Sequence, residues 1–153
     1  MANIKKIKEM LITATFEVFE KMFFVFAEPL REKGLNYPMR ASIRFSGPVE
    51  GAMYISVSSG LAKIMAENML SLEEGDITDQ VIADCLKESI NMVCGSFVSK
   101  VDPEHVFHLS IPIFEMVSEI PDNIPEQPDT FLRLDFAAEG GGFEVMMAAP
   151  DCL

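Results

Sequence analysis

The stretch DCLKESINMVCG, Asp84 to Gly95, carries the side chains best placed to do chemistry. A helix turns about 100° per residue, so on a helix Lys87, Asn91, Asp84, Gly95 and Glu88 fall within roughly 100° of arc. Val81, Ile82, Cys85, Leu86, Ile90, Met92, Val93 and Phe97 take most of the opposite side. A helix of this pattern docks through its apolar side and shows a narrow strip holding a carboxylate, a carboxamide and a second carboxylate. A carboxamide offers one acceptor and two donors, enough to orient a water molecule. A carboxylate beside it can pair with a cation on another molecule. Gly95 is an unusual choice in the strip, since a mid-helix glycine costs about 1 kcal/mol relative to alanine. Close approach of another backbone, from a partner or from within the domain, would compensate.

How much weight the strip bears depends on its length. Glu-x-x-Asn alone is expected by chance about 0.3 to 0.5 times in a chain of this size. Requiring an Asp or Ser four before the Glu and a Gly four after the Asn lowers that to under about 0.01.

Other chemistries find less support. A cysteine phosphatase needs Cys, five residues, then Arg; Cys85 meets Asn91 at that offset and Cys94 meets Lys100. No GxxxxGK[ST] loop is present. His105 and His108 stand near Glu104 but lack a third strong ligand nearby, so structural or solvated histidines are expected and no metal site. The methionines read as core filling.

The elements that must position the strip can be read along the chain. Apolar residues at helical spacing predict a first helix from Ile4 to about Phe26, ended by Pro29 and Gly34. Met39 to Ser46 and Gly51 to Val57 alternate as strands around the turn at Gly47 and Pro48. Ser58 or Ser59 caps a short second helix, and Glu73 to Asp76 forms an acidic loop. Thr78 caps the third helix, with Asp79 in its first turn and Asp102-Pro103 closing it after Val101. His108 to Val117 reads as a strand, Pro121 to Pro128 as a proline-rich loop. Phe131 to Ala137 and Phe143 to Ala149 form a hairpin around Glu139 and Gly140 to Gly142. The order is helix, hairpin, two helices, three strands: an α+β fold, an antiparallel sheet packed against long helices.

The 153 residues suit a single domain over 1–153 with a core of its own. A formal charge of −12 argues against nucleic acid or anionic membrane as partners. Glu9, Glu17 and Glu20 interrupt the apolar N-terminal run, so no signal peptide is expected, and no stretch is long enough to span a membrane. Cys85, Cys94 and Cys152, odd in number and without CxxC spacing, read as reduced thiols of a cytoplasmic protein.

Asp84, Glu88, Asn91 and the downstream Pro112 resemble the signature of the CheC/CheX/FliY chemotaxis phosphatases. IRFSGPVEGAMYIS (43–56) and AKIMAENML (62–70) are similar to that family's hairpin and following helix, and the likeness runs from about Ala14 to Ala149. It fits the CheX branch, because FEVFEKMF (16–23) has no Asn where a second site would need it. The Asn91 to Pro112 interval is slightly shorter than in the family. The resemblance implies hydrolysis of the aspartyl phosphate of a CheY-like response regulator, whose own active site holds the divalent metal, magnesium, so the chain needs no cofactor of its own. It implies that Asn91 orients the attacking water and Glu88 pairs with a lysine of the partner. Asp84 would serve as a rim contact, and Gly95 would let the partner approach. It also implies a homodimer joined through the sheet. The alternative is a non-catalytic interaction module on the same fold, resembling the related domain of flagellar switch proteins.

Overall fold

The computed structural model describes residues 4–30, 37–116 and 131–148. Three helices, α1 (Ile4–Phe23), α2 (Ser59–Leu70) and α3 (Asp79–Val101), pack on one face of an antiparallel sheet. The strands are β1 (Glu28–Leu30), β2 (Met39–Ser46), β3 (Gly51–Val57), β4 (His108–Leu109), β5 (Ile113–Met116), β6 (Phe131–Ala138) and β7 (Gly141–Ala148). Their spatial order is β1-β6-β7-β3-β2-β4, with β5 also on β2.

Alternation decides which strand residues enter the core. Ala41, Ile43 and Phe45 of β2, Met53, Ile55 and Val57 of β3, and Phe143, Val145 and Met147 of β7 lie buried under the helices. Phe19 of α1 stacks on Phe143 with centroids 4.2 Å apart, and Phe136 also stacks on Phe143, at 4.8 Å. This row of rings ties α1 to the two strands farthest along the chain. On the outer face, Arg133 pairs with Glu144 and stands 3.5 Å from Asp135.

Local chemistry sets most boundaries. Ser58 and Thr78 cap α2 and α3, their hydroxyls accepting from the backbone N–H of Leu61 and Val81 at 3.2 Å. Glu139 and Gly140 make the two-residue turn between β6 and β7, with Gly140 at φ 82°, a conformation glycine adopts without strain. The acidic stretch after α2 contains a single 3-10 turn, Glu74–Asp76.

Three expectations are corrected. α1 ends at Phe23 and not near Phe26, because Phe24 turns to φ 53° and the Val25 N–H closes back on the Phe19 carbonyl at 3.0 Å. Phe26, expected on the apolar face of a helix, is 73% exposed. Glu28–Leu30 is an additional edge strand on β6. The strand expected over His108 to Val117 is two strands, because Phe45 faces Leu109 whereas Ser42 faces Ile113. Ser110, Ile111 and Pro112 therefore oppose only Ile43 and Arg44, which is a β-bulge. Pro112 has no N–H to give the ladder, and the Ser110 hydroxyl accepts from the Arg44 N–H at 2.9 Å in place of a strand carbonyl. The proline-rich loop Pro121 to Pro128 and Cys152 lie outside the described residues.

Candidate functional site

α3 is the element that carries the strip, and its burial follows the sequence pattern. Ile82, Cys85, Leu86, Ile90, Val93 and Phe97 are buried, joined by Ala83, Ser89, Cys94 and Val98. Ser89 is accommodated in the core because its hydroxyl donates to the Leu86 carbonyl at 2.7 Å. The helix is thus held along its length by α1, α2 and the sheet. Its C-terminal turn is also linked to α1 through Lys100, whose ammonium stands 3.2 Å from the Glu17 carboxylate.

On the other side Asp84 is exposed, and Lys87, Glu88, Asn91 and Gly95 are half-buried. Asp84 accepts from the Gln80 amide at 2.8 Å, and the Lys87 ammonium stands 4.0 Å away. Among the described residues neither the Glu88 carboxylate nor the Asn91 carboxamide hydrogen-bonds to another group of the domain. The two sit one helical turn apart on a rigid rod, half out of the surface, with their hydrogen-bonding capacity unspent.

Gly95 has no tight internal neighbour. A Cβ built there meets only the Leu109 Cδ1, at 3.9 Å, an ordinary contact. Close approach of the domain's own backbone, one of the two compensations open to a mid-helix glycine, is therefore absent among the described residues. The same row continues past Gly95 to Ser99, whose hydroxyl donates to the Gly95 carbonyl at 2.9 Å, and to Asp102. The sequence reading stopped at Gly95; the three- and four-residue spacing that found the strip would have carried it further.

Cys85 and Cys94 are both buried, which does not suit a nucleophile. Burial pushes the Cys94 thiol up to about 12. Burial, and then the Glu88 charge, does the same to Cys85, also to about 12. His105 is engaged by Asp102, its Nδ1 lying 2.8 Å from the carboxylate, while His108 is exposed on β4 opposite Ser46. The Asp102 carboxyl is held below the ordinary range chiefly by that bond to His105. Among the described residues no three His, Cys, Asp or Glu side chains gather into a metal-ligand set. Pro112 is half-buried at the bulge between β4 and β5. A cavity of about 550 Å³ lies on the outer face of the sheet near Arg44, Tyr54 and His108, and contains no residue of the strip.

An antiparallel sheet of this order with three helices on one face is the fold of solved chemotaxis proteins. CheX from Vibrio vulnificus superposes with a TM-score of 0.78 at 18% identity, covering 97% of this chain and 99% of that one. CheX from Desulfovibrio desulfuricans gives 0.73 at 20% identity, covering 94% and 99%. CheX from Borrelia burgdorferi, solved in complex with CheY, BeF3 and magnesium, gives 0.74 at 20% identity, covering 94% and 97%. A comparison with curated proteins gives no match. The sequence profile described as "Chemotaxis phosphatase CheX" matches residues 39–123. The chain belongs to the CheX family of chemotaxis phosphatases.

Proposed function

We propose that this chain hydrolyses the aspartyl phosphate of a CheY-like response regulator, with Asn91 and Glu88 entering the regulator's active site. The observation that carries the reading is the state of those two side chains: half-exposed, one turn apart on a buttressed helix, and with no hydrogen-bond partner among the described residues of the domain.

Phosphoryl transfer is catalysed largely by positioning and electrostatics. The Asn91 carboxamide holds a water in line with the phosphorus. The water oxygen forms a bond to phosphorus, the bond to the regulator's aspartyl oxygen breaks, and inorganic phosphate leaves with the proton from water. Magnesium held by the regulator neutralises charge on the phosphoryl oxygens. Glu88 pairs with a lysine of the regulator and fixes the docking register, a contact worth most where water is excluded. Asp84, at the exposed end of the strip, is a rim contact, and Gly95 admits the partner's surface at the other end. The family complex of CheX with CheY from Borrelia burgdorferi supports this choice of partner.

Two further parts of the reading follow from the family. The chain acts as a homodimer joined through a sheet edge, where β5 leaves Ile113 exposed beside Ile111. It works in the cytoplasm, where the regulators are; among the described residues no helix is long and apolar enough to cross a membrane.

The test is dephosphorylation of a phosphorylated receiver protein with and without this chain. The wild type shortens the lifetime of the phosphoprotein, and Asn91→Ala, with its fold intact by circular dichroism, does not. An Asn91→Ala protein as active as wild type refutes the assignment. Binding without any change in phosphate lifetime would assign a non-catalytic module instead.

A further inference from the structure

Two lysines stand on α3, and only one of them is spent on the domain. The Lys100 ammonium lies 3.2 and 3.3 Å from the two carboxylate oxygens of Glu17 on α1. Lys87 belongs to the strip, and its side chain is 38% exposed. Its ammonium reaches Asp84 only at 4.0 Å, on an oxygen that already accepts from the Gln80 amide at 2.8 Å. An exposed pair of that length adds little to the fold. Among the described residues the Lys87 ammonium donates no hydrogen bond, so like Glu88 and Asn91 it keeps its capacity for another molecule.

Its place on the helix matters as much as its freedom. Around the axis Lys87 lies about 40° to one side of Asn91 and Glu88 about 60° to the other, each about one turn nearer the N-terminus. The carboxamide is thus flanked by a cation and an anion on one rigid rod. Side chains on a helix lean toward its N-terminus, and the Lys87 ammonium is indeed found on the Asp84 side. That puts it at the flank of the carboxamide and not over the atoms that would react there. Lys87 is also the strip's one cation: Asp84, Glu88, Asn91, Gly95, Ser99 and Asp102 are acidic or neutral.

We propose that Lys87 is a positioning residue for the phosphatase reaction. Its ammonium pairs with a carboxylate of the regulator beside the magnesium pocket, and together with Glu88 it holds the regulator in the orientation that presents the phosphoryl group to Asn91. The proposal rests on the reading of Asn91 and Glu88 given above. Magnesium takes oxygen ligands, carboxylates among them, so a pocket that binds it beside an aspartyl phosphate is rich in negative charge. This chain carries a formal charge of −12, and the strip itself presents Asp84 and Glu88. Without a cation on the docking face the two proteins would meet with like charges opposed. One ion pair fixes a distance but leaves the regulator free to swivel about it. A second pair of opposite polarity, across the carboxamide from the first, fixes the rotation, because turning the regulator round would bring like charges together.

The experiment compares Lys87→Glu, Lys87→Gln, Lys87→Arg and Asn91→Ala, each checked for its fold by circular dichroism. The substrates are the CheY-like receivers of the source genome, charged with acetyl phosphate in the presence of magnesium. Lys87→Glu raises KM about tenfold or more and Lys87→Gln raises it less, while kcat at saturation stays within about twofold. Lys87→Arg keeps KM within about twofold of wild type, since the pair needs the charge. Asn91→Ala loses kcat instead. The gap between wild type and Lys87→Glu narrows as sodium chloride rises from about 50 to about 500 mM. An unmoved KM in Lys87→Glu, with activity still dependent on Asn91, overturns the role of Lys87 alone. So does a Lys87→Arg protein as impaired as Lys87→Glu. A fall in kcat with KM unchanged in Lys87→Gln would put the ammonium on the reacting group and likewise overturn the positioning role. Full activity of Asn91→Ala, or no acceleration of any receiver by the wild type, overturns both readings.

Discussion

The Asn68 amide nitrogen on α2 donates to the backbone carbonyl of Phe23 at 2.7 Å, so the last turn of α1 is tied to the helix beside it. That carbonyl is one of the acceptors a helix leaves unpaired at its C-terminus. The next residue, Phe24, takes φ 53° and leaves its ring exposed, a place where glycine is ordinarily found. The helix end is therefore stabilised by a neighbour and strained by its own sequence. Asn68→Ala should destabilise the fold by about 1 to 2 kcal/mol. Phe24→Gly should stabilise it by about 1 kcal/mol, since the left-handed region costs other residues roughly that much. Urea titration of both variants checks the opposite signs.

Two helical glycines should respond oppositely to alanine. At Gly95 a methyl group meets only Leu109, so Gly95→Ala should stabilise the protein by about 0.5 to 1 kcal/mol. At Gly60 it would run into the carbonyl of Gly140, and Gly60→Ala should destabilise by about 1 to 3 kcal/mol. Activity should separate them again. On the proposed docking, the more stable Gly95→Ala protein should lose phosphatase activity, because its methyl group would stand where the regulator comes down. A Gly95→Ala variant that is both more stable and fully active would remove Gly95 from the docking surface.

Asn91 and Glu88 should separate in kinetics. On the proposed mechanism Asn91→Ala removes the group that places the water, and kcat should fall about 100-fold or more with KM little changed. On the same proposal Glu88→Ala removes a docking contact, and KM should rise about tenfold, equivalent to about 1.4 kcal/mol. Both side chains lie outside the core, so each variant should keep its urea midpoint within about 0.5 kcal/mol of wild type. Steady-state kinetics on a phosphorylated receiver, with denaturation curves alongside, measures all of this.

The buried thiols predict a loss of stability in alkali. Cys85 and Cys94 move from an ordinary 9.0 up to about 12 in the folded protein, chiefly through burial. Above pH 9.0 the unfolded chain releases thiol protons that the folded chain retains until about pH 12. The unfolded state then binds fewer protons, so this contribution is complete below that window and declines through it. The urea midpoint should drop more steeply over this range in wild type than in a Cys85→Ala/Cys94→Ala double variant. In a Cys152→Ser background the native protein should resist a thiol reagent that reacts freely after unfolding.

What could be read from the sequence was whatever local chemistry decides. The caps at Ser58 and Thr78, the span of α3, the β2–β3 pairing and the β6–β7 hairpin, though with β7 starting at Gly141 and not at Phe143, all depend on residues within a few positions of one another. The strip on α3 was legible for the same reason, since one period places its members on one face. The end of α1 was not, because Asn68, 45 positions away, helps to set it. All three residues of β1 are exposed and one of them is a proline, so it gives no alternation to detect and exists through its register with β6. The cavity of about 290 Å³ beside Gly95 was hidden because its lining joins α3 to residues that follow Asp102.

The bulge at Ser110 to Pro112 has a consequence for how this protein can diverge. Its last sheet neighbour docks on β2 in two independent segments, so the chain between the strip and the sheet can gain or lose a residue without sliding β5 out of phase. The interval from Asn91 to Pro112 is therefore a length that can change while α3 stays where it is.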